Sequence, residues 1–102
     1  MNDKIVITGT GAITSIGIGT QAYWDALLAG KSGICQIPET TPHFEDFPVK
    51  TAGVIEGYNP KDHLSARLAM DLDVFQQYAY VAALEAIGQS GIETFEPDRT
   101  AI

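Results

Sequence analysis

The sequence has a single cysteine, few basic residues and no long apolar run. Cys35 alone cannot build an internal disulfide framework or a multi-cysteine metal site, and one thiol is typical of a reducing cytoplasm. Six basic against thirteen acidic residues give a net charge of -7, which disfavours nucleic acid and anionic membranes as partners. No apolar run approaches the ~20 residues that span a bilayer. These features predict a cytoplasmic protein with neither nucleic-acid nor membrane partners.

The composition that remains is typical of a folded domain: 102 residues, of which 45% are hydrophobic. The β-branched run 5–8 predicts a strand buried on both faces, as in a parallel sheet. Thr20 is expected to cap a helix over 21–29 that Gly30 ends. The predicted packing face of this helix consists of three large apolar residues spaced three and four apart: Trp24, Leu27 and Leu28.

The middle and end of the chain alternate between turn-rich and periodic segments. The proline-containing stretch 31–48 is predicted to be a surface excursion, and residues 49–55 a second strand. A short helix is expected over 63–69. Residues 100–102 resemble the start of a third strand, so the order of elements predicts an α/β fold.

The helix predicted over 73–88 has almost no polar face. Asp71 or Asp73 is expected to cap its N-terminus and to interact favourably with the helix dipole. The polar residues of the helix are a narrow strip formed by Gln76 and Gln77, with Glu85 to one side. Four alanines would let other backbones approach closely: Ala79, Ala82, Ala83 and Ala86. A helix this apolar has to be buried on most sides, which two strands and two helices cannot achieve. We therefore interpret residues 1–102 as the N-terminal piece of a larger protein; an obligate oligomer of short chains is the alternative.

Glycines separate the first predicted strand from the first helix, the context in which dinucleotides bind. They are Gly9, Gly11, Gly17 and Gly19. Thr14 and Ile13 stand where the two common dinucleotide patterns need a further glycine. The favoured interpretation is a tight, buried strand-to-helix crossing, and a nicotinamide-dependent oxidoreductase is the alternative.

The other candidates for chemistry form no catalytic pattern. Cys35 is flanked by isoleucines and is predicted to be a structural, partly buried thiol. His43 and His63 lack partners at metal-ligand spacing and are expected to be structural or solvated. The acids of the proline-containing stretch are expected to face solvent: Glu39, Glu45 and Asp46. No cofactor or metal is predicted.

Two motifs nevertheless resemble a known family. They are T-G-x-G at residues 8–11 and W-x-x-L-x-x-G-x-S-G-I at residues 24–34. Together with Tyr58-Asn59-Pro60, and with Asp73 and Phe75, they are similar to the opening of β-ketoacyl-acyl-carrier-protein synthases. The resemblance extends over essentially the whole chain.

The resemblance implies an N-terminal fragment of a thiolase-like fold, layered α/β/α/β/α in the complete and usually dimeric enzyme. Such acyltransferases load an acyl chain on a cysteine, decarboxylate malonyl-carrier protein and join the two by Claisen condensation in fatty-acid or polyketide biosynthesis. The family's nucleophile and two histidines lie beyond Ile102, and Cys35, His43 and His63 do not match them. The 102 residues alone are therefore expected to be inactive. The alternative is a non-catalytic partner subunit of the chain-length-factor kind, acting in a heterodimer.

The resemblance also implies docking of an acidic acyl carrier protein on a basic cluster. Arg67 keeps one basic position, whereas Met70, Asp71 and Val74 replace others. Asp71 opposes an acidic carrier, and like charges lower the encounter rate. Three explanations fit the loss of these basic residues. The protein binds a specialised carrier, it has other basic residues elsewhere, or it is a member of the family without condensing activity.

Overall fold

The computed structural model describes residues 3–102, so Met1 and Asn2 of the predicted unit 1–102 lie outside the described residues. The described chain mixes helices and strands, as predicted. In order along the chain they are β1 (Ile13–Thr14), β2 (Gly17–Ile18), α1 (Thr20–Leu28), β3 (Ile34–Gln36), β4 (Thr51–Gly53), α2 (Ala66–Asp71) and α3 (Val74–Ser90). Short 3₁₀ turns cover Phe44–Asp46, Pro60–Asp62 and Pro97–Arg99.

The strands of residues 3–102 pair as two antiparallel ribbons, which corrects the prediction of a parallel sheet. In the first ribbon Ile13 lies opposite Ile18, and in the second Cys35 lies opposite Ala52. The predicted strand 49–55 shortens to β4, and the predicted excursion 31–48 contains β3. Parallel strands have to be joined by a long crossover connection. The two ribbons instead pair short antiparallel strands that follow one another along the chain.

The run 5–8 was expected to be a buried strand, and that expectation is wrong for the described chain. Ile5 and Ile7 are 101% and 86% exposed, and residues 5–8 belong to no strand. Residues 100–102 likewise form no strand. High β-propensity does not make a strand unless a neighbour takes up the backbone hydrogen bonds.

Helix α1 begins one residue earlier than predicted and is capped differently. Gly19, with φ 93°, is the N-cap and supplies no side chain, so the expected cap by Thr20 is wrong. The end agrees with prediction. The amides of Gly30 and Lys31 donate to the carbonyls of Leu27 and Ala26, and Gly30 has φ 67°, which together make a Schellman motif.

The predicted packing face of α1 is exposed instead of buried. Trp24 is 56% exposed and Leu28 70% exposed, while the buried residue of the helix is Ala26. The prediction of this packing face is therefore wrong for the described chain, because no described element covers the three apolar side chains.

Helices α2 and α3 have local start signals. The Ser65 hydroxyl accepts from the Leu68 amide at 3.2 Å, so α2 starts later than the predicted 63–69 helix. Asp73 forms a capping box with Gln76, whose side chain accepts from the Asp73 amide at 2.9 Å. Gly91 then ends α3 in the left-handed region, with φ 70°. Of the two acids proposed for this N-terminus, Asp73 serves it.

The described chain leaves much of its apolar surface uncovered. Its radius of gyration is 17.2 Å, against about 13 Å for a compact domain of this length. The buried residues among 3–102 are few: Ala26, Leu64, Gln77 and Val81. The prediction that these elements cannot cover α3 is confirmed. The expected burial of α3 on most of its sides is not found within residues 3–102. No helix within residues 3–102 is long and apolar enough to cross a membrane.

Candidate functional site

The glycine-rich segment lies directly on the C-terminal half of α3. A Cβ atom added to Gly9 would overlap the carbonyl of Ala86, and one added to Gly11 would overlap the carbonyl of Ala82. The backbones touch here because both sides are small. The predicted role of Ala82 and Ala86, to admit another backbone, is confirmed.

Two side chains of α3 bind the same segment by hydrogen bonds. Glu85 Oε1 accepts from the Ala12 amide at 2.9 Å and from the Thr20 amide at 3.1 Å, and Oε2 also lies 3.1 Å from the Thr20 nitrogen. One turn later, Gln89 Oε1 accepts from the amide of Thr10 at 2.6 Å and from its hydroxyl at 3.1 Å. The segment is therefore held by backbone contact and by side-chain acceptors.

This geometry explains why the segment does not follow a dinucleotide pattern. Thr14, at a position where one pattern needs glycine, accepts from the Gly17 amide at 3.1 Å and donates to the Gly17 carbonyl at 2.9 Å, closing the β1–β2 hairpin. The Thr20 amide at the start of α1, where a phosphate would bind, donates to Glu85. The prediction of a tight, buried strand-to-helix crossing is wrong for the described chain, because no strand precedes Gly9 and these glycines are half-buried. Gly9, Gly11 and Gly17 are nevertheless in close backbone contact with the helices.

The N-terminal half of α3 carries a second polar centre. Gln77 is 5% exposed, and its Nε2 donates to the carbonyls of Ala69 and Leu72 at 3.0 and 3.1 Å. Its Oε1 accepts from the Tyr58 hydroxyl at 3.0 Å. The amide group thus joins α2, α3 and the loop before Pro60 at one point.

Two aromatic rings contact Tyr58, the hydrogen-bond partner of this glutamine. Tyr58 stacks on His63 with ring centroids 5.7 Å apart, and meets the edge of Tyr78 at 4.9 Å. Burial, and secondarily the neighbouring Tyr78, raises the pKa of the Tyr58 hydroxyl above its ordinary value. Tyr58 therefore remains a neutral hydrogen-bond donor, and His63 acts as a packing residue, as predicted.

The remaining sequence candidates lie apart from both polar centres. Cys35 is exposed on β3, with Sγ 3.7 Å from the Ala52 carbonyl oxygen, so the prediction of a partly buried thiol is wrong. His43 has φ 60° and lies 3.4 Å from Asp46 in an exposed pair. Residues 3–102 contain no group of three potential metal ligands.

An open cleft of about 430 Å³ lies between the hairpin, the Pro60–Asp62 turn and α3. Its walls are mostly apolar, from Ile13, Ile18, Val81 and Leu84, with Asp62, His63 and Glu85 as the polar lining. Glu85 already accepts two backbone amides, so it does not serve as a free base in this cleft. Among the described residues, Glu85 thus makes a scaffold contact at the edge of this cleft.

The side chain of Arg67 is 93% exposed and its Nε lies 3.9 Å from Asp71 Oδ2, one turn along α2. Met70, between them in sequence, is 86% exposed. Asp71 thus partly offsets the charge of Arg67 on the same face.

Sequence reasoning missed Glu85, Gln89 and Gln77 as contact residues. The available signal was spacing: Glu85 and Gln89 are four residues apart, adjacent to Ala82 and Ala86, which places a polar edge beside a small-residue surface. Which backbone groups lie opposite that edge is a tertiary property.

Comparison with known proteins assigns the chain to a family. The sequence profile of the β-ketoacyl synthase N-terminal domain matches residues 2–102. The chain is 39% identical over 94 residues to the tetracenomycin polyketide synthase ketoacyl synthase beta subunit of Streptomyces glaucescens, covering 92% of this chain and 22% of the relative. It is 34% identical over 101 residues to 3-oxoacyl-[acyl-carrier-protein] synthase 2 of Vibrio cholerae, covering 97% and 23%. The enzyme of that name from Staphylococcus aureus is 37% identical over 95 residues, covering 93% and 22%.

The chain thus spans 22–23% of the length of these relatives. The match nevertheless covers all but the first of its own residues. The chain therefore belongs to the β-ketoacyl synthase family, and its residues 2–102 match the N-terminal domain of that family.

Proposed function

We propose that these residues form the N-terminal part of a condensing enzyme, a 3-oxoacyl-acyl-carrier-protein synthase. The complete protein would elongate an acyl chain by decarboxylative Claisen condensation with malonyl-carrier protein, in the cytoplasm and as a dimer. The observation that carries the proposal is the family match over residues 2–102, together with two relatives named as 3-oxoacyl synthases. In this proposal the reacting cysteine and two histidines lie beyond Ile102, and the present residues support them.

The uncovered apolar surface is consistent with that role. In a layered thiolase-like fold, the exposed run 5–8 would gain strand partners, and the Trp24 face of α1 would gain a covering layer. The contacts of the glycine segment with α3 would then fix the spacing between the first strand and the helices beside it.

A second candidate is a non-catalytic partner subunit. It is favoured by the 39% identity to a relative named as a ketoacyl synthase beta subunit. Asp71 beside Arg67 also weakens the positive face on which an acidic carrier would dock.

One experiment separates the two candidates. The complete protein is incubated with an acyl-carrier protein and malonyl-carrier protein, and 3-oxoacyl product is measured by mass spectrometry, with and without prior treatment by iodoacetamide. A condensing enzyme forms product and loses activity on alkylation. A partner subunit forms none alone and co-purifies with an active synthase. Absence of both product and such a complex would contradict the proposed function.

For docking we propose that Arg67 contacts the carrier protein and that Asp71 weakens this contact. Arg67→Ala is expected to raise the KM for carrier protein about two- to fivefold, and Asp71→Ala to lower it by a similar factor. Arg99→Ala, at another exposed arginine with an acidic neighbour, is the control. Equal effects of the Arg67 and Arg99 substitutions would contradict the assignment.

A further inference from the structure

The N-terminus of α1 has no anion of its own. Its N-cap is Gly19, no side chain caps it, and its first turn contains no acidic residue. The first amides of a helix have no intrahelical acceptor and carry the positive end of the helix dipole. A helix that starts this way leaves its first amides free to bind an acceptor from elsewhere in the chain.

Glu85 supplies that partner from α3. Its carboxylate accepts from Thr20, the first residue of α1, and from Ala12, the residue before β1. The amide of Gly19 in turn donates to the carbonyl of Ala12 at 2.7 Å, so the two ends of the hairpin meet beneath one carboxylate.

The glycine at the N-cap is part of the same arrangement. A Cβ atom added to Gly19 would lie 3.1 Å from Glu85 Oε2, and its φ of 93° disfavours any L side chain. The backbone conformation and the close approach of the carboxylate therefore both favour glycine at this position.

We propose that Glu85 is a positioning residue that fixes the β1–β2 hairpin and the start of α1 on α3. Its carboxylate lies at the N-terminus of α1, the end of a helix at which anions bind. The role concerns how the glycine segment is anchored, and it does not depend on the proposed condensing activity.

The chemistry of the side chain makes the proposal specific. A carboxylate offers two acceptor oxygens and a negative charge at the positive end of α1. A glutamine of nearly the same shape keeps one acceptor oxygen and loses the charge, and an alanine removes both. An aspartate keeps the charge but is one methylene shorter, so it cannot hold both amides from the same backbone position.

The test is amide hydrogen exchange at single-residue resolution on the complete protein. Glu85→Ala is expected to speed exchange at Ala12 and Thr20 on the order of tenfold or more, since hydrogen bonds to charged groups are among the stronger ones. Glu85→Gln should fall between Glu85→Ala and the parent protein, and Glu85→Asp should behave like Glu85→Ala. The amide of Leu68, which donates to Ser65, is the internal reference. Glu93→Ala, at an exposed glutamate shortly after α3, is the control.

Parent-like protection of Ala12 and Thr20 in Glu85→Ala would overturn the proposal. So would an equal loss of protection in Glu93→Ala. Where Glu85→Ala fails to fold, the near-isosteric Glu85→Gln decides: faster exchange at Thr20 supports the proposal, and unchanged exchange overturns it.

Discussion

The two halves of α3 hold their neighbours with side chains of opposite character. In the N-terminal half, Gln77 donates its amide hydrogens to the carbonyls of Ala69 and Leu72, at the C-terminal end of α2. In the C-terminal half, Glu85 accepts from the amide of Thr20, at the N-terminal end of α1. Both side chains therefore satisfy backbone groups that a helix end leaves without an intrahelical partner.

The difference follows from the polarity of the helix end that each residue meets. The C-terminal end of a helix presents carbonyls, which need a donor, and only an amide such as that of Gln77 can donate there while also accepting from Tyr58. The N-terminal end presents amides and positive potential, which favour a carboxylate such as Glu85. Exchanging the two side chains would place a carboxylate against the carbonyls of α2 and would remove the negative charge from the N-terminal end of α1.

The largest effect is expected where backbones touch in the C-terminal half. In Gly11→Val the added side chain meets the carbonyl of Ala82, so the segment must leave α3, and we expect the free energy of unfolding to fall by about 3 kcal/mol or more. Urea denaturation of the complete protein, with circular dichroism of the helices as the signal, measures the change.

Gly88→Ala is the matched control, because a Cβ atom at Gly88 on the same helix meets nothing within 4 Å. Alanine favours helix over glycine, so this substitution should stabilise by up to about 1 kcal/mol. Equal destabilisation by the Gly11 and Gly88 substitutions would show that the contact with Ala82 does not hold the segment.

The next effect concerns the N-terminal half. Gln77→Leu leaves two carbonyls and the Tyr58 hydroxyl without partners, and we expect a loss of about 2–3 kcal/mol. Gln77→Glu still accepts from Tyr58, but its carboxylate faces two carbonyl oxygens. Protonation relieves that repulsion, so the variant should lose stability as the pH rises from about 4 to 8.

Urea denaturation at several pH values measures the free energy of unfolding of both variants. Gln36→Leu, on exposed β3, is the control, and its stability should stay within about 0.5 kcal/mol of the parent. A pH-independent loss in Gln77→Glu would mean that the side chain at position 77 does not face the end of α2. The polarity argument for this half of α3 would then be wrong.

Local signals in the sequence located the helices well. The capping residues Asp73 and Gly30 fixed one end each of α3 and α1, because capping involves groups only a few residues apart. The strand predicted over residues 5–8 was wrong for the opposite reason. A strand depends on a neighbouring strand, and four β-branched residues carry no information about whether one is present.

The candidate site was predicted only in part, because some of its contacts are local and others join residues far apart in the sequence. The alanines at 82 and 86 revealed that a backbone would approach, and the spacing of Gly9 and Gly11 excluded a common dinucleotide pattern. Which acceptor would bind the N-terminus of α1 could not be read from the sequence, since Glu85 lies 65 residues away from Thr20. Contacts of that separation are set by packing and not by local preference.

The smallest effect is expected at Tyr58. Tyr58→Phe keeps the ring stack on His63 and removes one hydrogen bond to Gln77, so we expect a loss of about 1 kcal/mol near neutral pH. The raised pKa means that the fold favours the neutral hydroxyl. Its contribution is therefore present below the ordinary value of 10.0 and is lost as the pH rises through the pKa of the folded state. The denaturation curves of the parent and Tyr58→Phe should differ near pH 7 and converge above pH 10. Exposed Tyr80→Phe is the control and should show no such change with pH.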